Sequence, residues 1–559
     1  MKKFDYFIGV IAVVAFFLLM AELSSYFSAY THIFRMINLT ILCVFILDLI
    51  FRLVISKNKI KFIKKNLIDF IVFIPLIQFF YSFENTPFFV IVWQVVIVTI
   101  LISRLRKVNK LFSLLRLQPT QLMVSSFIFA IGVGTILLML PAATVTGEKT
   151  SLINAAFTAT SATCVTGLIV KDTATYFSLF GQMVILALIQ IGGLGIMTFS
   201  VSLSILLKKR IKMHQQVVMK DVLDQDEIST IKRFVLFIFK MTFLVEIIGA
   251  LFLFFSWNGR FENKLITAYH ALFHSVSAFC NAGFSTFSDS LIQFSDSFST
   301  NFIISMIIIF GGLGFIVIND VFQKIKNSVL KRTKKIIQLK VQTKLVLGMS
   351  IFLILLGGIF IYFVESNQAF ESLSLKSKIF VSLFQSVTTR TAGFNSFDIP
   401  VLSSATLLFM IVLMFIGGSP GSTAGGVKTT TIAVLWATIK NGFKQNENVE
   451  LHKRTIPNEI IKKAITILAS SLMIILIFAI SLACLEKFKF VDILFETVSA
   501  FATVGLSTGI TPHLSISGKV LLSILMFIGR LGPLTIGYAF ANRTIPARYK
   551  YAEERIMIG

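Results

Sequence analysis

Four short glycine-containing segments recur along the chain, and this repeat constrains the fold more than any other feature of the sequence. The segments read SATCVTGL, SAFCNAGF, VTTRTAGFNS and SAFATVGL, and their glycines are Gly167, Gly283, Gly393 and Gly505. The glycines are separated by 116, 110 and 112 residues. A period of this length indicates four copies of one structural unit. We therefore expect the four loops to meet around one axis.

Long apolar runs fill most of the remaining sequence. Hydrophobic residues make up 55% of the 559 residues and charged residues only 14%, whereas soluble proteins carry about 25% charged residues. About a dozen of the apolar runs are long enough to be counted as separate candidate spans. The sequence predicts an all-α polytopic integral membrane protein.

The net charge of +25 is distributed asymmetrically along the chain. Basic residues concentrate in alternate loops, and the loops between them carry few, which is the positive-inside pattern and not the footprint of a nucleic-acid-binding protein. We expect a multi-pass protein of the cell membrane with both termini in the cytoplasm and an even number of spans. The basic loops are Arg52–Lys65, Arg104–Arg116, Lys208–Lys220, Lys324–Lys344, Lys440–Lys463 and Arg543–Arg555.

The apolar segments divide the chain into two parts. Residues 1–117 predict an N-terminal bundle of four membrane helices, and residues 118–559 a pore domain of four repeats, at about 118–225, 226–335, 336–445 and 446–559. Each repeat reads as a long helix, a short half-helix, the glycine loop and a second long helix, which gives twelve spans in total. The predicted half-helices are Leu152–Ala162, Leu265–Phe279, Ser377–Thr388 and Val491–Phe501, and the second helices are Phe180–Leu207, Phe302–Phe322, Leu402–Ile439 and Val520–Ala541.

The half-helices are too short to cross about 30 Å of hydrocarbon, so each must enter the membrane and return to the same side. Irregular backbone at this depth is stable only inside protein or beside a water-filled cavity. Rings of backbone carbonyls bind a dehydrated cation, and glycine tolerates the positive φ that such loops need. The alternative is that each glycine merely ends its half-helix. The expected ion-binding residues are Val165, Thr166, Gly167, Leu168, Asn281, Ala282, Gly283, Phe284, Thr391, Ala392, Gly393, Phe394, Thr503, Val504, Gly505 and Leu506.

A second fourfold pattern follows each loop: Ile191–Gly195, Phe310–Gly314, Ile416–Gly426 and Ile528–Gly532. The first two copies allow close packing or a bend, whereas the glycines and proline of the third must break its helix. In the fourth copy Arg530 replaces a glycine, and a charge at membrane depth marks a functional site. The predicted gate is this arginine and the third segment, hereafter the gate loop: Gly417, Gly418, Ser419, Pro420, Gly421, Ser422, Thr423, Ala424, Gly425 and Gly426.

Two interpretations stay open at the gate. Arg530, for which we expect loop carbonyls as partners, is either part of the gate or an anchor between helices. Lys428 either belongs to the gate or snorkels toward the membrane surface.

Catalytic and metal-binding residues are not expected. The cysteines Cys43, Cys164, Cys280 and Cys484 form no CxxC pair. The six histidines are scattered; His270 and His274 share one helix face and are expected to pack behind the second loop. An integral-membrane enzyme would need a cluster of carboxylates or histidines at one membrane face, and the chain is therefore expected not to be an enzyme.

These residues resemble the KtrB/TrkH superfamily of potassium transporters over about residues 119–548. The specific matches are ATCVTGL at 162–168, NAGF at 281–284, TRTAGFN at 389–395, TVGLSTG at 503–509 and GSPGSTAGGVKTTT at 418–431. The resemblance implies a filter that binds potassium ions, a gating loop in the third repeat and an arginine in the fourth. It also implies a homodimer with a cytosolic ring of RCK-type nucleotide-binding regulatory subunits, and modulation by sodium in the KtrB branch. Any nucleotide would be bound by the partner, and no cofactor is expected in this chain.

The N-terminal segment departs from the usual family pattern and is similar to a voltage-sensor bundle. Arg104, Lys107, Lys110 and Arg116 follow a three-residue spacing at the end of its fourth apolar run. Positive-inside asymmetry would also place bases here, so an accessory bundle is the other interpretation. The leading expectation is a potassium uptake transporter, and the alternative is a voltage-gated or poorly selective cation channel.

Overall fold

The computed structural model describes residues 119–195, 228–330 apart from 262, 338–445 and 448–540, with isolated positions at 46–54 and residue 554. The described chain is almost entirely helical. Its one sheet is the two-residue hairpin of β1 (Glu450–Leu451) and β2 (Arg454–Thr455), in which Glu450 lies opposite Thr455. The N-terminal bundle expected over residues 1–117 and the basic loop 208–220 lie essentially outside the described residues.

Each repeat contributes a long first helix, a half-helix and a second helix, which is continuous or divided. The first two repeats contain α1 (Pro119–Leu138), α2 (Leu152–Thr163), α3 (Leu179–Leu194), α4 (Ile228–Ser256), α5 (Lys264–Cys280), α6 (Phe298–Leu313) and α7 (Phe315–Leu330). The last two contain α8 (Val341–Glu365), α9 (Leu375–Thr388), α10 (Ser404–Phe415), α11 (Thr429–Phe443), α12 (Asn458–Leu485), α13 (Phe490–Ala502), α14 (Ile516–Leu531) and α15 (Pro533–Phe540).

The first helices α1, α4, α8 and α12 are the four described helices long and apolar enough to cross a membrane, and the number rises to six if each bent pair forms one span. Only 22–33% of their most apolar windows is buried within the protein. Apolar residues that face outward in this proportion need hydrocarbon around them. The predicted all-α membrane fold is confirmed.

The second helices are not the uninterrupted helices that the sequence predicted. The predicted helices Phe302–Phe322 and Val520–Ala541 are each divided by a bend, because α6 and α7 meet at 101° and α14 and α15 at 92°, and a bend was one of the two outcomes expected for the second repeat. The bends follow Gly314 and Gly532, whose φ angles of 88° and 85° stop a right-handed helix. The predicted helix Leu402–Ile439 is divided into α10 and α11 by the gate loop, so the break expected there is confirmed. Helix α3 ends at Leu194, before the predicted Leu207, and residues 196–227 lie outside the described ranges.

A serine begins each second helix, a fourfold pattern that the sequence analysis missed. Its hydroxyl accepts a hydrogen bond from the backbone N–H three residues later, which typically stabilises a helix by about 1 kcal/mol. These serines set where the chain turns back into the membrane. They are Ser178, Ser297, Ser403 and Ser515.

The half-helices α2, α5, α9 and α13 contain 12, 17, 14 and 13 residues. At about 1.5 Å per residue, they are shorter than the hydrocarbon core. Each second helix packs against the half-helix of the next repeat: α3 against α5, α6 against α9, α10 against α13, and α14 against α2. The last contact joins the fourth repeat to the first, so the four repeats close into a ring.

A candidate ion pathway at the four-loop ring

The four glycine loops meet at the centre of this arrangement and form what we call the four-loop ring, residues 165–168, 281–284, 391–394 and 503–506. A Cβ atom on Gly167 would lie 2.4 Å from the carbonyl oxygen of Ala282, and one on Gly283 would lie 2.8 Å from that of Ala392. The pattern continues from Gly393 to the Val504 oxygen at 2.3 Å and from Gly505 to the Thr166 oxygen at 2.1 Å. Each glycine therefore lies against the carbonyl that precedes the next glycine, in the order of the repeats, and the ring has no room for a side chain at these positions.

The backbone of the loops is left-handed at two positions in every copy. The four glycines have φ angles of 96°, 69°, 79° and 91°. The residue two positions earlier is also left-handed, at 58° in Val165, 59° in Asn281, 76° in Thr391 and 51° in Thr503. Such angles are uncommon outside glycine and indicate a backbone held by its surroundings. Sequence reasoning missed the second position, because valine and threonine rarely adopt such angles and only Asn281 is of a type that does so more readily.

The half-helices of the first, second and fourth repeats end in the same hydrogen-bonded turn, a Schellman motif. In the first repeat, Thr166 N donates to Ser161 O at 2.8 Å and Val165 N donates to Ala162 O at 3.1 Å. The second and fourth repeats have the same pair of bonds, and the third instead bonds Ala392 N to Thr388 O at 2.9 Å. In these three repeats the half-helix therefore ends at the left-handed residue two positions before the glycine, which is Val165 in the first repeat. The alternative that the glycines only end these helices is wrong.

A hydroxyl from the last turn of each half-helix holds its loop. Ser161 Oγ accepts from Gly167 N at 3.0 Å, and Ser499 Oγ accepts from Gly505 N at 3.1 Å. In the middle repeats the hydroxyl donates instead: Ser277 to Phe284 O and Thr388 to Phe394 O, both at 2.8 Å. Sequence reasoning missed these supports, although the recurring Ser-Ala pair before three of the loops was a visible signal.

The residues that follow the glycines contribute backbone to the ring and side chains to the core. Leu168, Phe284, Phe394 and Leu506 are each at most 1% exposed and belong to apolar clusters. The four loops that contain the sixteen residues predicted to bind an ion are thus brought together, and none of these residues carries a carboxylate. A ring of neutral oxygens of this kind suits a dehydrated monovalent cation.

The second glycine pattern serves close packing beneath the ring. A Cβ on Gly192, Gly311 or Gly529 would lie 1.8–2.0 Å from a carbonyl oxygen at the end of the half-helix of the same repeat. In the third repeat Gly417 instead faces the oxygen of Gly425, at 2.2 Å from a Cβ. The glycine at this position therefore brings the second helix against the half-helix in the first, second and fourth repeats. In the third repeat it closes the gate loop on itself.

The gate loop is bonded to the bend of the second repeat. Ser419 N donates to Gly312 O at 3.0 Å, and Phe315 N, the first residue of α7, donates to Gly421 O at 3.0 Å. Thr423 reaches deeper, because its hydroxyl lies 3.1 Å from the carbonyl oxygen of Phe279 at the end of α5. The loop is thus held between the second-repeat bend and the ring above it.

Arg530 connects the gate loop to two further repeats. Its Nη1 donates to the carbonyl oxygen of Thr423, and its Nη2 donates to that of Gly192 at 2.5 Å. The loop also meets the ring directly, since a Cβ on Gly425 would lie 2.1 Å from Thr503 Oγ1. The expectation that loop carbonyls are the partners of Arg530 is confirmed, and the residue is an anchor as well, because it joins repeats one, three and four.

Lys428 does not snorkel to the membrane surface. Its Nζ bends back to donate to Ala424 O at 2.6 Å and to Gly425 O at 3.4 Å. Among the described residues, neither Lys428 nor Arg530 forms an ion pair with a carboxylate. Two unneutralised cations therefore lie beside the loop, and backbone oxygens are their partners.

Arg390, in the third loop, points away from the ring. Its guanidinium lies 3.4 Å from Ser350 O and 3.3 Å from Ser350 Oγ on α8. It also lines a water-sized cavity of about 20 Å³ with Gly312 and Gly418. Arg390 therefore connects the third loop to α8 behind the ring.

The two histidines on α5 pack behind the second loop, as expected. His274 is fully buried, with its Nε2 2.9 Å from Ser285 Oγ and its Nδ1 2.8 Å from the carbonyl oxygen of His270. His270 Nδ1 lies 2.6 Å from Thr286 Oγ1. Within the described ranges, no group of three or more His, Cys, Asp or Glu side chains is arranged to hold a metal ion.

Known proteins resemble this chain over most of its length. The family model described as TrkH, cation transport protein, matches residues 87–545. Ktr system potassium uptake protein B of Bacillus subtilis is 36% identical over 459 residues, which cover 81% of this chain and 99% of that protein. Potassium/sodium uptake protein NtpJ of Enterococcus hirae is 37% identical over 470 residues, 82% of this chain and all of that protein. The crystal structure of the potassium transporter TrkH from Vibrio parahaemolyticus shares the fold, with a TM-score of 0.60 at 16% identity over 96% of this chain and 98% of that one.

Proposed function

Because this chain belongs to the TrkH family of cation transport proteins, we propose that it is a potassium uptake transporter whose ions pass through the four-loop ring. The observation that carries the proposal is the cyclic contact of each loop glycine with the carbonyl before the next one. Oxygen ligands without a fixed negative charge bind a monovalent cation and also release it. The family to which the chain belongs consists of ion transporters and not of enzymes.

The direction of transport follows from the proposed orientation of the chain. Positive-inside asymmetry puts the half-helix starts on the outside of the cell membrane and the basic loops in the cytoplasm. An ion entering the ring from outside then moves with the membrane potential, which supplies about 2.3 kcal/mol per charge at 100 mV. Uptake therefore needs no further energy source in this chain.

The gate loop and Arg530 close the path on the cytoplasmic side of the ring. Arg530 brings a positive charge next to the loop, and a cation leaving the ring would meet this charge before reaching the cytoplasm. Opening requires the loop to give up its bonds to Gly312, Phe315 and Arg530. A cytosolic nucleotide-binding subunit of the RCK type is proposed to drive this change, and the functional unit is proposed to be a homodimer.

The curated relatives favour potassium and leave sodium as a second cation. The one from Bacillus subtilis is named for potassium uptake alone, and the one from Enterococcus hirae is named for potassium and sodium. A poorly selective cation channel is therefore the second candidate. The two differ in whether sodium competes for the ring as well as potassium does.

The first experiment compares rubidium uptake by proteoliposomes with an inside-negative potential for the native chain and Gly393→Ala. A Cβ at this position would lie 2.3 Å from Val504 O, whereas one at Gly348, in helix α8, meets nothing within 4 Å; Gly348→Ala is therefore the matched control. We expect uptake to fall at least tenfold in Gly393→Ala only, and to be blocked by potassium and spared by N-methylglucamine. Equal uptake in both variants would contradict the proposed path.

A binding measurement covers the case in which a missing regulator keeps the gate shut. Ligands that bind only the folded state raise its thermal stability. Potassium should raise the unfolding temperature of the detergent-solubilised native chain and of Gly348→Ala, but not that of Gly393→Ala. Equal stabilisation by sodium and potassium would favour the poorly selective channel.

A further inference from the structure

A half-enclosed cavity of about 380 Å³ lies beside the bend between α6 and α7, away from the ring. Three elements line it: helix α4, the first half of α7 and the residue that precedes α8. The lining residues are Arg233, Phe234, Phe237, Ile316, Asn319, Asp320, Gln323 and Lys340. None of these belongs to the ring or to the gate loop.

The cavity lies at the level of a membrane surface. Helices α4 and α8 both lead into half-helices, so Arg233 and Lys340 are at the opposite end of the molecule from the half-helix starts. Helix α7 turns through 101° from α6 and is amphipathic: Phe322 and Ile325 are 50% and 55% exposed, and Lys324 and Lys326 are exposed beside them. A helix with this composition lies in the interface between lipid headgroups and acyl chains.

The cavity has an apolar wall and a basic rim. Phe234, Phe237 and Ile316 form the wall. The exposed side chains of Arg233 and Lys340 form the rim, and neither is bonded to another described residue. The one acid, Asp320, is already engaged, since its Oδ2 accepts from Lys340 N at 3.0 Å and Thr343 Oγ1 at 2.6 Å.

We infer that this cavity binds an anionic phospholipid. The phosphate lies between the Arg233 and Lys340 side chains, where ionised donors make the strongest hydrogen bonds to phosphate oxygens. The side-chain amides of Asn319 and Gln323 donate to the glycerol and headgroup oxygens. The acyl chains pass along Phe234 and Phe237 into the bilayer.

The position of the site connects it to the gate loop. The first residue of α7, Phe315, donates its N–H to Gly421 O at 3.0 Å, and Asn319 and Gln323 follow one and two turns later on the same helix. A lipid that fixes α7 therefore also fixes a gate-loop partner. This consequence rests on the proposed function, whereas lipid binding does not and is measured without transport.

Native mass spectrometry of the full chain in detergent tests the site, with phosphatidylglycerol as the probe and phosphatidylcholine as the uncharged comparison. The double variant Arg233→Gln/Lys340→Gln removes the two rim charges. The matched control is Lys462→Gln/Lys463→Gln, because both lysines are exposed and lie at the start of α12. We expect phosphatidylglycerol affinity to fall roughly tenfold or more in the rim variant, and to be unchanged in the control.

A second variant keeps the charges and fills the cavity. Asn319→Trp should displace the bound phosphatidylglycerol while its thermal unfolding temperature stays close to that of the native chain. Undiminished binding in Asn319→Trp, or an equal loss in the two charge variants, would overturn the proposed site. Equal binding of phosphatidylcholine, or displacement by millimolar glycerol phosphate, would overturn the assignment to an anionic lipid.

Discussion

Arg530 connects the gate loop to two other repeats. Its guanidinium donates to a carbonyl of the first repeat and to one of the third, while its own helix belongs to the fourth. A hydrogen bond to a charged group is worth about 1.5–3 kcal/mol. A charge buried at membrane depth is costly, and the bonds to the two carbonyl oxygens offset this cost.

Replacing Arg530 by glutamine should favour the open gate. The variant loses the charge-assisted bond that holds Thr423 of the gate loop, and it removes a positive charge beside the proposed ion path. We expect rubidium flux to rise at least tenfold in proteoliposomes. The control is Arg454→Gln, in which the changed arginine lies exposed in β2. A flux as low as that of the control would mean that Arg530 is only a structural anchor.

At the scale of single elements, the second helices differ although their sequences share one motif. Helices α6 and α14 turn by about a right angle at Gly314 and Gly532, and the third repeat replaces the turn with the gate loop. The bend in the second repeat also carries a gate contact, because a Cβ on Gly314 would lie 2.6 Å from Pro420 O. The third repeat thus forms the gate loop, and its neighbour holds that loop.

Gly314 and Gly532 offer a matched pair for testing whether the bend of the second repeat influences the gate loop. Both have a left-handed φ, so alanine costs about 1–2 kcal/mol in either place, but a Cβ on Gly532 meets nothing within 4 Å. We expect both variants to lose thermal stability from this strain, Gly314→Ala the more because of its contact with the Pro420 carbonyl oxygen, and a change in cation flux only in Gly314→Ala. Equal flux in the two variants would show that the contact with Pro420 does not influence the gate.

For the whole molecule, the four repeats form a closed ring in sequence order. The second helix of each repeat packs on the next half-helix, and the last, α14, packs on α2 of the first repeat. The same order governs the glycine loops, where Gly505 faces Thr166. Every loop therefore depends on two neighbouring repeats, and the site exists only when all four are folded.

The proposed orientation predicts which membrane face of the molecule reacts with an impermeant thiol reagent in intact cells. His513 lies exposed in the turn before α14, and Lys444 lies exposed after α11, at the other end of the molecule. In a Cys484→Ser background, which removes an exposed natural thiol, His513→Cys should label in intact cells. Lys444→Cys should label only after permeabilisation, with the background chain as control. The reverse pattern would invert the proposed direction of uptake.

Sequence reasoning found the parts of this protein that depend on local composition. Apolar runs and the spacing of the loop glycines predicted the membrane fold, the half-helices and the fourfold repeat. Glycines and a proline predicted the break after Phe415, because no helix continues through them. The carbonyl partners of Arg530 were also predicted, since a charge at that depth needs oxygen atoms around it. The N-terminal bundle stays a prediction.

Tertiary structure decided the features that depend on contacts between distant residues. The left-handed backbone at Val165 and Thr503 opposes the preference of these residues, and the packing around the loop holds it. The bend at Gly314 also involves a neighbouring repeat, because Phe315 N donates to Gly421 O of the gate loop. The sequence by itself determined that four similar loops exist, because their spacing and glycines are local properties. Only the tertiary structure decided that they face one another in cyclic order, because that order results from helices packing across more than 300 residues of chain, as between Gly192 and Arg530.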